Sequence, residues 1–130
     1  MGILTLRNRF GEIKSSLTIK SGSGQAESIL IFLPLNDNAC RIAAYSFRSL
    51  HQLEKRGVEY KICVLGNHIP IVNGVLNNLE SYKLDENNRK VLLPESVTKR
   101  EKFDMIIDLN PELNLEISEC IAKISADYKV

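Results

Sequence analysis

The chain contains 130 residues, of which 17 are lysine or arginine and 16 are aspartate or glutamate. This length predicts one domain that can bury a hydrophobic core without disulfides or structural metals. The balanced charge argues against a nucleic-acid-binding protein, and no apolar stretch reaches the length that a membrane span needs. Three cysteines lie far apart in apolar segments, which predicts reduced core thiols in a cytoplasmic protein rather than a disulfide framework or a metal site: Cys40, Cys63 and Cys120.

Residues 1–20 are predicted to form an amphipathic helix. Its apolar side chains recur every three or four positions, at Leu6, Phe10, Ile13 and Leu17. Residues 21–25 are rich in glycine and serine and predict a flexible joint, so we expect residues 1–27 to be an appendage of a domain at residues 28–130. A helix packed on its own domain is favoured, because Gly11 interrupts the pattern and the basic excess is small. Peripheral contact with an anionic membrane surface is the alternative.

Residues 28–56 predict a strand, a polar loop and a helix in succession. Residues 29–33 form an unbroken apolar run that suits a strand buried on both faces, and Pro34 ends it. The short polar side chains of residues 36–38 favour a helix N-terminus, and Gly57 fits just past the helix end. The helical spacing between them is carried by small and apolar residues: Cys40, Ala43, Ala44, Phe47 and Leu50.

The alternation continues after this unit. Residues 58–65 predict a second strand, Asn67 a helix N-cap, and residues 69–79 a helix. Residues 81–84 predict a short third strand. The least regular part of the sequence follows, at residues 85–102.

The C-terminal part predicts a further strand, helix and strand. Residues 103–109 have an apolar centre, and residues 126–130 resemble the opening of another strand. Asn110 and Pro111 predict the helix start between them, since asparagine caps helices and proline suits the first turn. The buried stripe of that helix is expected at Leu113, Ile117, Cys120, Ile121 and Ile124. A chain that stops on the opening of a strand predicts a boundary inside a longer protein.

This alternation of strands and helices predicts the α/β class. A Rossmann-like open parallel sheet with helices on both faces follows from it, together with the N-terminal helix. The glycine-rich fingerprints of phosphate-binding loops are absent, so no cofactor is predicted. In sheets of this kind ligands bind beyond the carboxyl ends of the strands, and the loops there hold the candidate residues.

Polar side chains in those loops are the candidate site residues. They are Asn36, Asp37, Asn38 and Arg41 after the first strand, Asn67 and His68 after the second, and Asn110 after the strand at residues 103–109. Asp37 has the chemistry of a general base for a hydroxyl group, and plain helix capping is the alternative. Arg41 would reach an anionic ligand or form a solvent-exposed salt bridge. His68 is expected to be a loop or capping residue, and the basic side chains of residues 99–102 a solvated surface, with phosphate binding less favoured.

Two segments carry a resemblance to a known enzyme family. Asn36-Asp37 and residues 47–50 of the following helix occupy the places of a Gly-Asp pair and a leucine-rich helix tail. Phe103-Asp104 and residues 107–110 match a strand pattern of Tyr-Asp-x-x-Ile-Asp-Leu followed by a polar residue. In these features residues 28–130 resemble the N-terminal half of the heptosyltransferase-like glycosyltransferases (glycosyltransferase family nine), which build the lipopolysaccharide core.

The resemblance implies a bacterial, cytoplasmic glycosyltransferase that moves a heptose-like sugar from a nucleotide sugar to a lipopolysaccharide-type or other glycan acceptor, without a metal. It implies a GT-B architecture of two Rossmann-like domains, with this chain on the acceptor side and the nucleotide sugar bound mainly by a domain beyond it. The family's proposed base falls on Asp37, and Asn36, Asn38, Arg41 and Asn110 would shape the acceptor pocket. A lipid-linked acceptor would place the protein at the inner membrane, with residues 1–20 as the contact.

The chain departs from the family at two places. Asn36 stands where the family has glycine, and residues 33–35 stand where the family often has a basic or small polar residue. A non-catalytic Rossmann-like binding module derived from the same fold, with Asp37 only as a cap, is therefore the alternative function. The 130 residues alone are expected to have no transferase activity, because the donor-side domain is missing.

Overall fold

The computed structural model describes residues 2–22, 27–85, 87, 89–100 and 102–130. Within these residues, six strands form one mostly parallel sheet, so the fold is α/β. The strands are β1 (Ser28–Phe32), β2 (Glu59–Leu65), β3 (Leu79–Asp85), β4 (Lys90–Leu92), β5 (Phe103–Asp108) and β6 (Ala126–Lys129). They lie in the order β4-β3-β2-β1-β5-β6, and every neighbouring pair is parallel except β3 with β4.

Helices cover both faces of the sheet, as the alternation predicts. The α-helices are α1 (Ile3–Gly22), α2 (Asp37–Ser46), α3 (Ile69–Val72), α4 (Glu95–Thr98) and α5 (Leu115–Ala122). Short 3-10 helices follow α2 and β2, at Leu50–Arg56 and Gly66–His68. On one face α1 and α2 join the strands in a hydrophobic cluster, and on the other face α4 and α5 do so.

The sequence of β1 suits the centre of the sheet, since all five of its residues are buried. Ile29 and Ile31 belong to the cluster with α1 and α2, whereas Leu30 and Phe32 belong to the cluster with α5. From β1 the chain extends the sheet first through β2 and β3, and later through β5 and β6 on the other side. This reversal of direction opens a crevice beyond the carboxyl ends of β1 and β5.

The predicted helix at residues 69–79 is wrong in length. The helix α3 ends at Val72, and the chain then turns through Gly74 and Asn78, whose φ angles of 89° and 58° are left-handed. Val72 and Leu76 are both buried, although only Val72 lies on the helix. Their helical spacing therefore arises because the irregular loop after α3 also packs an apolar side chain into the hydrophobic core. The turn brings the chain directly into β3 beside β2.

The helix of the C-terminal unit begins later than predicted. Residues 110–113 form a loop, and α5 follows Asn114, whose Oδ1 accepts a hydrogen bond from the backbone N–H of Ile117 at 2.9 Å. Leu113, predicted in the buried stripe, is 81% exposed, because it lies in this loop rather than on the helix. Ile117 and Ile121 are buried, as predicted.

Two further boundaries differ from the prediction. The helix expected to run to residue 56 is divided into α2 and the 3-10 helix Leu50–Arg56, and Gly57 ends the latter with a left-handed φ of 81°. The strand β4 was not predicted, because its apolar run is short. It pairs with β3 in the antiparallel direction, so the predicted parallel sheet is wrong at this edge. The strands predicted around β1, β2, β3, β5 and β6 are confirmed to within a few residues.

The apolar stripe of α1 is confirmed and is buried in the same cluster as α2 and β1. Leu6, Phe10 and Leu17 are 5%, 0% and 1% exposed. The ring of Phe10 meets that of Phe47 edge-on, with the centroids 6.2 Å apart. The helix therefore packs on its own domain, which is the first of the two interpretations given above.

The predicted joint at residues 21–25 lies outside the described residues from position 23 onward, and α1 continues through Gly22. Membrane contact through residues 1–20 stays a prediction. None of the helices described is both long enough and apolar enough to cross a bilayer.

All three cysteines are free thiols. Cys40 and Cys63 are buried and Cys120 is half-buried, which agrees with the expected reduced core thiols. Burial raises the pKa of Cys40 to about 11, with the nearby carboxylate of Asp37 adding to the rise. Burial likewise raises the pKa of Cys63 and Cys120, so none of them has the character of a reactive thiolate.

The charged run at residues 98–102 is largely neutralised by acidic side chains. Glu101 lies outside the described residues. The basic side chains form three ion pairs: Lys99 with Glu95 at 3.0 Å, Arg100 with Glu59 at 2.6 Å, and Lys102 with Asp127 at 2.6 Å. This pairing agrees with a surface segment and leaves little free positive charge for phosphate.

Asp104, which belongs to the strand motif of the family resemblance, forms hydrogen bonds with the backbone at the start of β1. Its Oδ2 accepts hydrogen bonds from the backbone N–H groups of Glu27 and Ser28, at 2.8 and 3.0 Å. The hydroxyl oxygen of Ser28 in turn accepts from the backbone N–H of Asp104 at 3.0 Å. These bonds, the one from Glu27 foremost, lower the pKa of Asp104.

We expect Asp104→Ala to lower the free energy of unfolding by about 1 kcal/mol at pH 7, since two backbone donors lose a charged acceptor. The folded pKa lies below the unfolded value of about 3.9, so this contribution is complete above that value and is lost as the pH falls through the folded pKa. Urea unfolding at several pH values should therefore show the stability difference between the parent and the variant shrinking as the pH falls below the unfolded pKa and through the lowered folded one. The exposed Glu119→Ala is the control, and a pH-independent difference would contradict this role for the charge.

Candidate functional site

The loops that follow β1, β2 and β5 meet at one edge of the sheet, as its parallel order requires. The predicted site residues all lie at this edge: Asn36, Asp37, Asn38 and Arg41 around the start of α2, and Asn110 after β5. Three of them divide into two groups rather than one pocket. Asp37 pairs with the loop after β2, whereas Asn36 and Asn110 line a cavity between the loops after β1 and β5.

Asn36, not Asp37, caps α2. Asn36 has extended backbone angles, and its Oδ1 accepts a hydrogen bond from the backbone N–H of Ala39 at 3.0 Å. Asp37 is the first helical residue, where a negative charge is favourable beside the positive end of the helix. The capping alternative for Asp37 is therefore wrong, because the preceding residue already supplies the cap.

We expect Asn36→Ala to reduce the free energy of unfolding by about 1 kcal/mol, the usual value of a side-chain cap. Asn38→Ala is the matched control, because Asn38 is exposed two residues later in the first turn of α2 and makes no side-chain hydrogen bond among the described residues. Chemical denaturation followed by circular dichroism measures both. Equal losses for the two variants would show that the Asn36 bond does not stabilise α2.

The carboxylate of Asp37 is held by a histidine. Asp37 Oδ1 lies 2.7 Å from His68 Nε2, although the two residues are 31 positions apart. They meet because β1 and β2 are adjacent and parallel, so the loops at their carboxyl ends are neighbours. The His68 side chain is 7% exposed, whereas that of Asp37 is 73% exposed. A fixed and buried imidazole thus presents a carboxylate to solvent.

The other ring nitrogen of His68, Nδ1, is buried and has no hydrogen-bond partner among the described residues. Since a carboxylate oxygen can only accept, the Nε2–H of His68 donates to Asp37. The neutral tautomer with its proton on Nε2 fits this arrangement, because it leaves no buried N–H donor unpaired at Nδ1. His68 is therefore suited to orient Asp37 rather than to reach a ligand itself.

The contact of His68 with Asp37 is the feature of the site that the sequence did not predict. His68 was expected to be a loop or capping residue, yet its side chain caps no helix, and Asn67 beside it forms no capping bond either. One signal was present in the sequence. His68 lies in the connection that follows β2 and Asp37 in the connection that follows β1, which places both side chains at one edge of a parallel sheet.

Asn110 joins the loops after β1 and β5. Its Oδ1 accepts from the backbone N–H of Leu35 at 2.8 Å, and its Nδ2 donates to Asp108 Oδ1 at 2.7 Å. Its own backbone N–H donates to the same oxygen at 3.0 Å, and the residue is 8% exposed. Asn110 thus holds the wall of the cavity in place, and its side-chain groups are already engaged.

The cavity beside these loops has a volume of about 310 Å³. We call it the switch-point cavity; its lining is Leu6, Leu35, Asn36, Ala39 and residues 110–114. The helix α1 helps to enclose it, since Arg9 Nη1 donates to the carbonyl oxygen of Pro111 at 3.3 Å. The two capping residues, Asn36 and Asn114, use their Oδ1 atoms as caps, and no hydrogen bond engages their Nδ2 groups among the described residues. Together with the carboxylate of Glu112, these amides suit a polar, hydroxyl-bearing ligand.

Asn38 and Arg41 join neither group. Both are exposed on α2, and Arg41 forms no salt bridge within the part of the chain that the structure describes. The predicted salt bridge of Arg41 is therefore not observed, and its guanidinium is open to solvent. Among the described residues, no group of three or more His, Cys, Asp or Glu side chains is arranged to hold a metal ion.

Comparison with known proteins identifies no relative: no protein-family model, curated protein or solved structure matches the chain significantly. The fold and the site define an α/β protein with a mostly parallel sheet and polar groups at the carboxyl ends of its strands. A function is therefore inferred from two features of the site, the Asp37–His68 pair and the switch-point cavity.

Proposed function

We propose that this chain is the acceptor-side, Rossmann-like domain of a two-domain GT-B glycosyltransferase of the heptosyltransferase-like family, with Asp37 as its catalytic base. The supporting observation is the exposed Asp37 carboxylate at the carboxyl end of β1, fixed by a buried histidine at 2.7 Å. The strand motif at Phe103-Asp104 and residues 107–110, which carries the resemblance, lies in the neighbouring strand β5.

In this reaction an acceptor hydroxyl attacks the anomeric carbon of a nucleotide sugar. The new glycosidic C–O bond forms as the bond to the nucleotide phosphate breaks, and the hydroxyl proton passes to Asp37. Configuration at the sugar is inverted, and the nucleoside diphosphate leaves. His68 acts as a positioning residue, because its Nε2–H occupies one carboxylate oxygen and leaves the other for the hydroxyl.

The switch-point cavity is the proposed site for the acceptor sugar. Its amide groups and the carboxylate of Glu112 offer the donors and acceptors that bind hydroxyl groups. Asn36 and Asn110 form its walls, as the resemblance implies, while the exposed Asn38 and Arg41 would contact the outer part of a larger glycan or its phosphate. The donor nucleotide sugar is proposed to bind a second domain, and a lipopolysaccharide-type acceptor would place the enzyme on the cytoplasmic side of the bacterial inner membrane.

A non-catalytic binding module of the same fold is the second candidate. It is favoured because the side-chain oxygens of three asparagines already bond to the backbone: Asn36 and Asn114 cap helices, and Asn110 joins two loops. Their positions are thus explained by the fold without a catalytic role. Such a module would bind a small polar ligand in the switch-point cavity without turnover. Asp37 would then matter for neither activity nor binding.

We expect the purified 130-residue chain to have no transferase activity on UDP-, ADP- or GDP-sugars, because the donor domain is absent. Release of nucleoside diphosphate, measured with a coupled enzyme assay, tests this expectation. Turnover by the 130 residues alone would refute the division into donor and acceptor domains.

The intact mass of the native protein decides between the two candidates first. A product more than about twice this length has room for a second domain of similar size and supports the transferase. A native product of 14.7 kDa would have no such domain, and the transferase proposal would then be withdrawn in favour of the binding module.

A further inference from the structure

A second cavity, far from the loops described above, lies between α1 and the 3-10 helix Leu50–Arg56. We call it the basic cavity; its volume is about 290 Å³, and its lining is Lys14, Leu17, Thr18, Ser49, Leu50, Gln52, Leu53 and Arg56. The three leucines are buried and form its floor. The 3-10 helix leads into β2, so this cavity lies towards the edge where strands begin, opposite the edge that holds Asp37.

The basic cavity is lined by two cations and by no carboxylate. The switch-point cavity, by contrast, includes Glu112, and a groove between β4 and α5 includes Glu116 and Glu119. Glu54, the acidic residue of the 3-10 helix that borders the cavity, is engaged elsewhere, since its Oε1 accepts from Asn78 Nδ2 at 2.8 Å. The charged side chains that line the basic cavity are therefore all positive, which favours an anionic ligand.

The donors around this cavity have capacity to spare. Lys14 Nζ donates to the carbonyl oxygen of Ser46 at 3.3 Å, which uses one of its three N–H groups. Arg56 forms no salt bridge within the described part of the chain. Ser49 precedes the 3-10 helix without a side-chain capping bond, and no described group bonds to the side-chain amide of Gln52. The hydroxyl of Thr18, by contrast, is engaged, since it donates to the carbonyl oxygen of Lys14 at 3.0 Å. Donor capacity therefore remains on the Lys14 ammonium, the Arg56 guanidinium, the Ser49 hydroxyl and the Gln52 side-chain amide.

We infer that the basic cavity binds a phosphate group. An arginine fork, a lysine ammonium, the Ser49 hydroxyl and a side-chain amide are the donor types that phosphate oxygens accept from, and the charge-assisted bonds among them are the stronger ones. The leucine floor suits an apolar group attached to the phosphate. Two sources share this chemistry: a phosphorylated soluble compound and the headgroup of an anionic lipid.

Inorganic pyrophosphate is the soluble probe, measured by calorimetric titration, and the lipid probe is co-sedimentation with phosphatidylcholine vesicles with or without phosphatidylglycerol. The variant Gln52→Glu places a carboxylate in the cavity without removing the bond of Lys14 to Ser46, so the fold is kept. It should weaken binding by about tenfold or more, and Lys14→Gln with Arg56→Gln should do the same.

The matched control is Arg89→Gln with Lys83→Gln, which removes one arginine and one lysine from exposed positions outside both the cavity and α1. Pyrophosphate binding that only the cavity variants weaken supports the site, with a soluble phosphate as ligand. Binding to phosphatidylglycerol vesicles alone, lost in the cavity variants and kept in the control, supports the site with a lipid headgroup as ligand. Failure to bind either probe, or equal losses in cavity and control variants, would overturn the inference.

Discussion

Replacing Phe10 with alanine is expected to lower the free energy of unfolding by about 3–5 kcal/mol, the range typical of a buried phenylalanine. Phe10 is fully buried, and its ring meets that of Phe47 at 62° with the centroids 6.2 Å apart. Such an edge-to-face pair adds to the hydrophobic burial. The substitution leaves a cavity at the junction of α1 and α2, so the loss should affect the whole domain.

Urea denaturation measures this loss, and Ile19→Ala is its control. Ile19 lies on the same helix but is 73% exposed, so its truncation should change stability by no more than about 0.5 kcal/mol. Should Phe10→Ala fail to fold, Phe10→Leu keeps most of the buried area and should cost about 1 kcal/mol. A loss for Phe10→Ala as small as that for Ile19→Ala would mean that α1 is an appendage of residues 28–130.

The central strands could be predicted from the sequence because their information is local. Residues 29–33 and residues 103–109 are apolar at every core position, which suits strands covered on both faces. The stripe of α1 was equally clear, since its apolar spacing and its burial agree. The sequence did not show which surface the stripe of α1 contacts, because the same apolar spacing suits a membrane surface and a neighbouring helix such as α2.

Helix ends were predicted less well because several residues compete for each cap. Asn110 and Asn114 are both good caps by type, and the choice fell on Asn114 because Asn110 bonds across to Leu35. A contact over 75 positions decided a local boundary. The helix at residues 69–79 failed for a similar reason, since pairing with β2 required β3 to begin at Leu79.

The candidate site was predicted in part. The rule for parallel sheets placed Asp37, His68 and Asn110 at one edge, and the structure has them there. The rule could not say which side chains touch. Asp37 contacts His68 after β2, whereas Asn36 lines the cavity beside the loop after β5. The strand β1 lies between β2 and β5, and the consecutive residues Asn36 and Asp37 face opposite neighbours.

If the proposed transferase function holds, Asp37→Asn in the two-domain enzyme is expected to lower kcat by about 10²- to 10⁴-fold, the usual contribution of a general base. The amide is nearly isosteric and still accepts a hydrogen bond from His68, but it cannot take a proton from the acceptor. Stability should change by less than about 1 kcal/mol, since Asn36 supplies the helix cap. Release of nucleoside diphosphate and thermal unfolding measure the two effects. Unchanged turnover in a folded variant would exclude Asp37 as the base.

Two substitutions of His68 test whether its side chain orients the Asp37 carboxylate or only fills buried space. His68→Gln keeps a side-chain N–H that can donate to Asp37, whereas His68→Leu fills the same buried space without a donor. If His68 positions the base, kcat should fall by roughly tenfold in His68→Leu and recover in His68→Gln, because a hydrogen bond to a charged group contributes about 1.5–3 kcal/mol. If the ring only fills space, the two variants should have the same kcat. In the Asp37→Asn background neither His68 variant should lower kcat further, because the bond that His68 makes then orients no base.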